Sequence, residues 1–274
     1  MPDNAFDLAY LLKLPPKKAI AYFKAKDLAL TWDWEDLWQA GHTRFFTVAK
    51  CMRMDVLQDI HDELLKAQEQ GLPFQQFKKN LTPMLQAKGW WGYKFVSKPD
   101  GTLEKVLEGS PRRLETIYRT NMQSAFMAGR WKAFEENVKS RPYYQYVAVM
   151  DSKTRPAHRL LHGKVFRHDD IFWKTHWPPL DFRCRCRARA LSEADIKERG
   201  LSVESGEGNI VWKDVVVSQK NGEVRPVAFY HDPTTDREIP TGPGFSYNPG
   251  MTDFKADLDK YSPDIKALFN EKMT

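Results

Sequence analysis

A chain of 274 residues with 42% hydrophobic and 28% charged side chains can bury a sizeable core, and at about 150 residues per domain it suggests one to two units, with two as the working count. No apolar run approaches the roughly 18 residues of a membrane span, and the opening "MPDNAFDLAYLLKLPPKKA" lacks the charged and apolar succession of a secretory signal. Three cysteines argue against a disulfide framework and for a reducing cytoplasm, while a net charge of +6 permits a polyanionic partner without requiring one.

In chain order, "PPKKAIAYFKAKDLAL" opens a short helix at proline, with Ala19, Ile20, Phe23 and Leu28 near helical spacing. The next stretch predicts two more helices, one striped by Trp34, Leu37 and Trp38, the other by Val56, Leu57, Ile60 and Leu64 and stopped at Gly71. "LPFQQFKKNLTPMLQAKGWWG" reads as a further short helix ended by Gly89, with an aromatic turn after it. "PRRLETIYRTNMQSAFMAGRWKAFEENV" starts at Pro111 and aligns Leu114, Ile117, Tyr118, Met122, Ala125, Phe126 and Trp131, which predicts the longest helix.

Past Arg141-Pro142 the texture changes. "YYQYVAVMD" is aromatic and β-branched and predicts a strand, and "NIVWKDVVVSQ" with "VRPVAFYHD" predicts a hairpin turning at Asn221-Gly222. The fold class is therefore α+β: a helical region over 1–140, a small β-containing unit over 141–232, and an extended tail over 233–274 rich in Pro and Gly. That tail retains Phe245, Tyr247, Phe254, Tyr261 and Phe269, aromatic anchors for a protein partner that a plain linker would not need.

The chemistry-bearing residues gather in "DSKTRPAHRLLHGKVF" and "PPLDFRCRCRAR". His158 and His162, four apart, would share one helix face, and Cys184 and Cys186 would add two thiolates, which makes the four ligands of a tetrahedral zinc site. Cys-x-Cys is not the usual zinc-knuckle spacing, so a metal-free reading stands beside it, with hydrogen-bonded histidines and buried thiols. Two enzyme readings use the same window: a metal nuclease drawing on Asp151, Asp169, Asp170 and Asp181, or a cysteine nucleophile favoured by Arg183, Arg185 and Arg187. In a strand, the alternating arginines would form one basic face opposite a Cys/Ala face.

At "RTNMQSAFMAGRW", "DSKTRPAHRLLHGKVF", "PPLDFRCRCRAR" and the closing "PGFSYNPG" the sequence resembles the phage Mu F-like minor head proteins, and the resemblance extends over nearly the whole chain. It implies that 141–232 is a Mu F-like domain. It also implies a non-enzymatic minor virion component that acts in head assembly near the portal and accompanies DNA packaging or ejection. The implied partners are the portal, the major capsid protein, the scaffold or packaged DNA, with no membrane. The implied location is the virion, and host cytoplasm during assembly. Some members carry Cys-Pro-x-Cys where this chain has Arg155-Pro156-Ala157-His158. The resemblance thus leaves either one structural zinc, held by His158, Cys184 and Cys186 with His162 as replacement, or no cofactor. In the second case the knot closes through Asp151, Thr154, Arg155, Gly163 and Arg185 against the Pro178-Pro179 loop. The reading from a different class is a nucleic-acid-processing metalloenzyme or toxin-like effector built on 141–230, which would need a convergent polar pocket.

Overall fold

The computed structural model describes residues 16–98 and 100–251. Helix α1 (Lys17–Lys24) comes directly after Pro16 and buries Ala19, Tyr22 and Phe23. A two-residue strand β1 (Asp27–Leu28) pairs in parallel with β2 (Phe45–Phe46), which is continuous with the short helix α2 (Gly41–Arg44). The helix expected on the Trp34, Leu37 and Trp38 stripe is only a 3-10 turn over Trp34–Asp36. Its cause is local: the Asp36 carboxylate accepts from the backbone amides of Trp32 at 2.7 Å and Asp33 at 2.9 Å, a side-chain alternative that competes with helix propagation.

Helix α3 (Met54–Gln70) turns Val56, Leu57, Ile60, Leu64 and Ala67 inward and ends at Gly71 with φ 64°. Helix α4 (Phe74–Ala87) adds Phe77, Leu81 and Leu85. After α4 the chain forms an antiparallel hairpin that periodicity did not reveal, with β3 (Tyr93–Ser97) and β4 (Leu103–Leu107) set inside the otherwise helical region. Helix α5 (Pro111–Glu135) is capped by the Ser110 hydroxyl, which accepts from the Arg113 amide at 3.2 Å, and carries proline at its start. It joins two apolar cores. Leu114, Ile117 and Ala125 pack with α1, α3 and α4, whereas Met127 and Trp131 face the second core.

That second core is built on β5 (Tyr143–Val147), whose Tyr144 and Tyr146 are wholly buried. Helix α6 (Pro156–Leu160), strand β6 (Val165–Arg167) and helix α7 (Phe172–Thr175) come next. Beyond them lie β7 (Arg187–Leu191), α8 (Glu193–Glu198) and β8 (Val203–Glu204). The sheet order is β7-β5-β6-β8, antiparallel except for the parallel β6/β8 edge. Phe166 stacks on Phe172 at 3.9 Å, and Trp131 meets Trp177 edge-on at 4.8 Å. A fully buried side chain of this kind contributes about 1.5–3 kcal/mol through removal from water, so this aromatic centre sets the position of the segments around it.

The hairpin of β9 (Ile210–Ser218) and β10 (Glu223–Asp232) turns through Asn221-Gly222, and β11 (Arg237–Pro240) pairs with β10 to complete a three-stranded sheet. Tyr230 and Ile239 enter the second core. From the 233–274 segment, residues 241–251 are irregular but packed. The Gly242 amide donates to Leu180 at 2.7 Å and Asn248 donates to the Trp173 carbonyl at 3.1 Å. At Gly250 an added Cβ would collide with the Trp131 Cβ, so only glycine permits this approach.

Candidate metal centre and the knot that frames it

After β5 the chain turns at Asp151. Its carboxylate accepts from the Lys153 amide at 3.0 Å and from the Thr154 hydroxyl at 3.3 Å. Arg185 closes on the same group from the other segment with a two-pronged pair, Nη1 to Oδ2 at 2.8 Å and Nη2 to Oδ1 at 2.6 Å, and also donates to Thr154 Oγ1 at 3.1 Å. This guanidinium holds the Asp151 carboxyl well below the usual carboxylate range. Arg159 donates to the backbone carbonyls of Asp151 at 2.5 Å and Thr154 at 3.0 Å. Arg155 reaches the segment beyond the cis Pro178-Pro179 bond, pairing with Asp181 at 3.0 Å and donating to the Phe182 carbonyl at 3.1 Å. Gly163 ties the far end to β5: its amide donates to the Tyr146 carbonyl at 2.9 Å, and its carbonyl accepts from Gln145 Nε2 at 2.9 Å.

Inside this frame α6 points His158 into the core. His158 Nδ1 lies 3.6 Å from Cys184 Sγ and 3.7 Å from Cys186 Sγ, and the three ligand atoms lie within 4.8 Å of one another. All three side chains are buried and the thiols are unbridged. Burial opposes ionisation of Cys184, yet hydrogen bonds with Cys186 and His158 draw its thiol well below the ordinary value. The Cys186 thiol is pushed up, first by its bond to Cys184 and then by burial. Tyr146 faces both sulfurs from β5, and burial, then those thiols, push its phenol up. The period-two pattern of "YYQYV" is the signal that could have found Tyr146, because it puts Tyr144 and Tyr146 on one inward face.

His162, counted among the four candidate ligands, is not with the other three. Helix α6 ends at Leu160, and His162 is exposed on the turn after it, where its Nδ1 accepts from the Ala148 amide at 3.1 Å. The arginines do not form one bare basic face. Arg183 pairs with Glu115 at 2.9 Å and donates to Thr116 at 3.0 Å, Arg185 is held by Asp151, and Arg189 donates to Gln145. Strand β7 begins only at Arg187, so both cysteines precede it. The nuclease carboxylates are dispersed as well: Asp169 pairs with Arg167 at 2.9 Å, and Asp170 accepts from the amides of Phe172 at 2.8 Å and Gly206 at 3.0 Å.

The anchors expected in the tail fall in two groups. Phe245 is spent inside the molecule, edge-on to Phe182 at 4.9 Å, which corrects its reading as a free partner anchor. Tyr247 is half-buried and lines, with Lys26, His42 and Trp34, a cavity of about 240 Å³. Phe254, Tyr261 and Phe269 lie outside the described residues. In that cavity burial pulls Lys26 down to about 7, and burial, then the Lys26 charge, pulls His42 down to about 4. Lys26 Nζ donates to the His42 carbonyl at 2.5 Å. A second cavity, of about 420 Å³, lies between α5, α1 and the Arg183–Arg185 segment and is lined in part by Cys184.

Residues 58–189 match the family described as Phage Mu protein F like protein. Over 259 residues, 94% of this chain and 59% of the relative, the chain is 43% identical to protein F of Escherichia phage Mu, whose name provisionally assigns it to capsid assembly. Over 231 residues, 84% of this chain and 55% of the relative, it is 40% identical to the Mu-like prophage FluMu F protein of Haemophilus influenzae. The chain thus spans somewhat more than half the length of these relatives. No solved structure matches it. With the family match taking in the Asp151–Arg185 knot and the two relatives aligned along most of the sequence, the chain belongs to the phage Mu protein F-like family.

Proposed function

We propose that the chain is a structural component of a phage head that acts in head assembly and is not an enzyme. The observation that carries this reading is the 43% identity with phage Mu protein F along 94% of the chain. The geometry supports it: the carboxylates and arginines that a nuclease or nucleophile would recruit are paired with one another or cap backbone amides, so they hold segments in place instead of converging on a substrate.

The partners we assign are the portal and the major capsid protein, with scaffold or packaged DNA as further contacts, and the location is the virion, reached from the host cytoplasm. Two features support a protein partner. Hairpin β3–β4 leaves Tyr93, Phe95 and Leu103 exposed at 67, 72 and 69%, an apolar surface of the kind that marks interaction sites. The stretch 252–274 retains Phe254, Tyr261 and Phe269. Among the described residues no helix is long and apolar enough to cross a membrane. Removing all of 233–274 would unfold the second core, because 237–251 is part of it, so the informative truncation removes only 252–274. That variant and Phe95→Asp should both fold, and at least one should be lost from purified heads. Normal copy number for both would rule out these two surfaces as the contacts.

A further inference from the structure

We infer that His158, Cys184 and Cys186 hold one zinc-class divalent cation. Tetrahedral Zn²⁺ with Zn–N of about 2.05 Å and Zn–S of about 2.3 Å sets nitrogen and sulfur roughly 3.6 Å apart. The chain places His158 Nδ1 at 3.6 and 3.7 Å from the two sulfurs. Two thiolates and one neutral imidazole balance the charge of a divalent ion, and soft sulfur donors favour zinc over magnesium or calcium.

The surroundings suit a bound ion better than a bare hydrophobic core. Tyr146 turns its buried hydroxyl toward both thiols, a polar neighbour that a purely apolar core would not place there. The ligand-bearing segments are already pinned together by the Asp151–Arg185 pair and by Gln123, which donates to the Cys186 carbonyl at 2.6 Å. The cage is therefore formed by the fold, and the ion fastens α6 to the approach of β7.

The test is a titration of the full chain, stripped with chelator under reducing conditions, with Co²⁺ as the spectroscopic probe and Zn²⁺ as competitor. About one equivalent of cobalt should give the intense visible bands and thiolate charge-transfer absorption of a tetrahedral sulfur-ligated ion, and zinc should bleach them. Cys184→Ser, Cys186→Ser and His158→Asn should each lose at least about 100-fold in affinity, since even the removal of groups behind the ligands costs 10–100-fold. His162→Ala and Cys51→Ser should bind as the wild type does. Failure of the wild-type chain to develop these bands overturns the inference whether or not the variants fold. So does an undiminished spectrum in Cys186→Ser, or loss of it in His162→Ala. The inference is independent of a head-assembly role, because neither outcome depends on what the chain assembles with.

Discussion

Lys26 is a buried amine with no carboxylate partner among the described residues, and replacing it with methionine should stabilise the protein in a pH-dependent way. Burial lowers its value from 10.5 to about 7, so at pH 8 the lysine is neutral in the folded chain and charged in the unfolded one. Each tenfold step in that equilibrium is worth about 1.4 kcal/mol, which makes neutralisation at pH 8 cost about 3 kcal/mol. Methionine avoids this cost but removes the Lys26 donor from the His42 carbonyl, which keeps only the long 3.4 Å bond from the Tyr22 hydroxyl, a loss of about 1 kcal/mol. The net expectation is that Lys26→Met is more stable by about 2 kcal/mol at pH 8. Proton linkage sets the sign: between about 7 and 10.5 the unfolded chain holds the extra proton, so wild-type stability rises with pH in that window and declines as pH falls toward 7. By pH 10 the advantage of the variant should have vanished or reversed. Urea unfolding monitored by tryptophan fluorescence at pH 8 and pH 10 measures both gaps. A gap that stays constant between the two pH values would refute the assignment of Lys26 as a buried, neutral amine.

Trp177→Ala should lower stability by about 3–5 kcal/mol, since it empties the aromatic centre and removes the bond from Trp177 Nε1 to the Met127 carbonyl at 3.0 Å; calorimetric melting reads the loss. Gly129→Val should destabilise by at least about 1–3 kcal/mol through overpacking, because a Cβ there would lie 2.7 Å from the Ala19 nitrogen; a melting temperature unchanged from wild type would contradict the close α1/α5 contact. Asp151→Asn should melt below the wild type at neutral pH. Since the folded carboxyl lies below its ordinary 3.8, that advantage should be lost as pH falls through and beneath that value, which a series of melting temperatures against pH would show.

Much of the helical region was legible because burial there tracks the helical period. Val56, Leu57, Ile60 and Leu64 point inward together, and Ser110-Pro111 marks the start of α5. The Trp34, Leu37 and Trp38 stripe misled because periodicity ignores competition for backbone amides, and Asp36 takes two of them. The β3–β4 hairpin went unread because its exposed apolar side chains give no inward stripe, although Asp100-Gly101 at its turn was a signal. The segment 237–251 read as tail since its contacts are long-range: Gly242 to Leu180 and Asn248 to Trp173 leave no local pattern.

At the candidate metal centre the residue types were legible and the geometry was not. The four-residue spacing of His158 and His162 implies a shared face only if the helix continues, and it stops at Leu160. Conversely, Cys184 and Cys186 converge on His158 from an irregular segment between a turn and β7, a placement set by Arg185, Arg155 and Gln123 and not by local propensity.

Whether the chain is a built-in part of the phage head is tested most directly by quantitative mass spectrometry of purified virions, and of the DNA-free heads that precede them, made by the genome that encodes it. A structural role predicts peptides from this chain in both particles, at a fixed and low ratio to the major capsid protein that survives extensive washing. Their absence from both, with heads that form at normal yield when the gene is deleted, would contradict that role in head assembly.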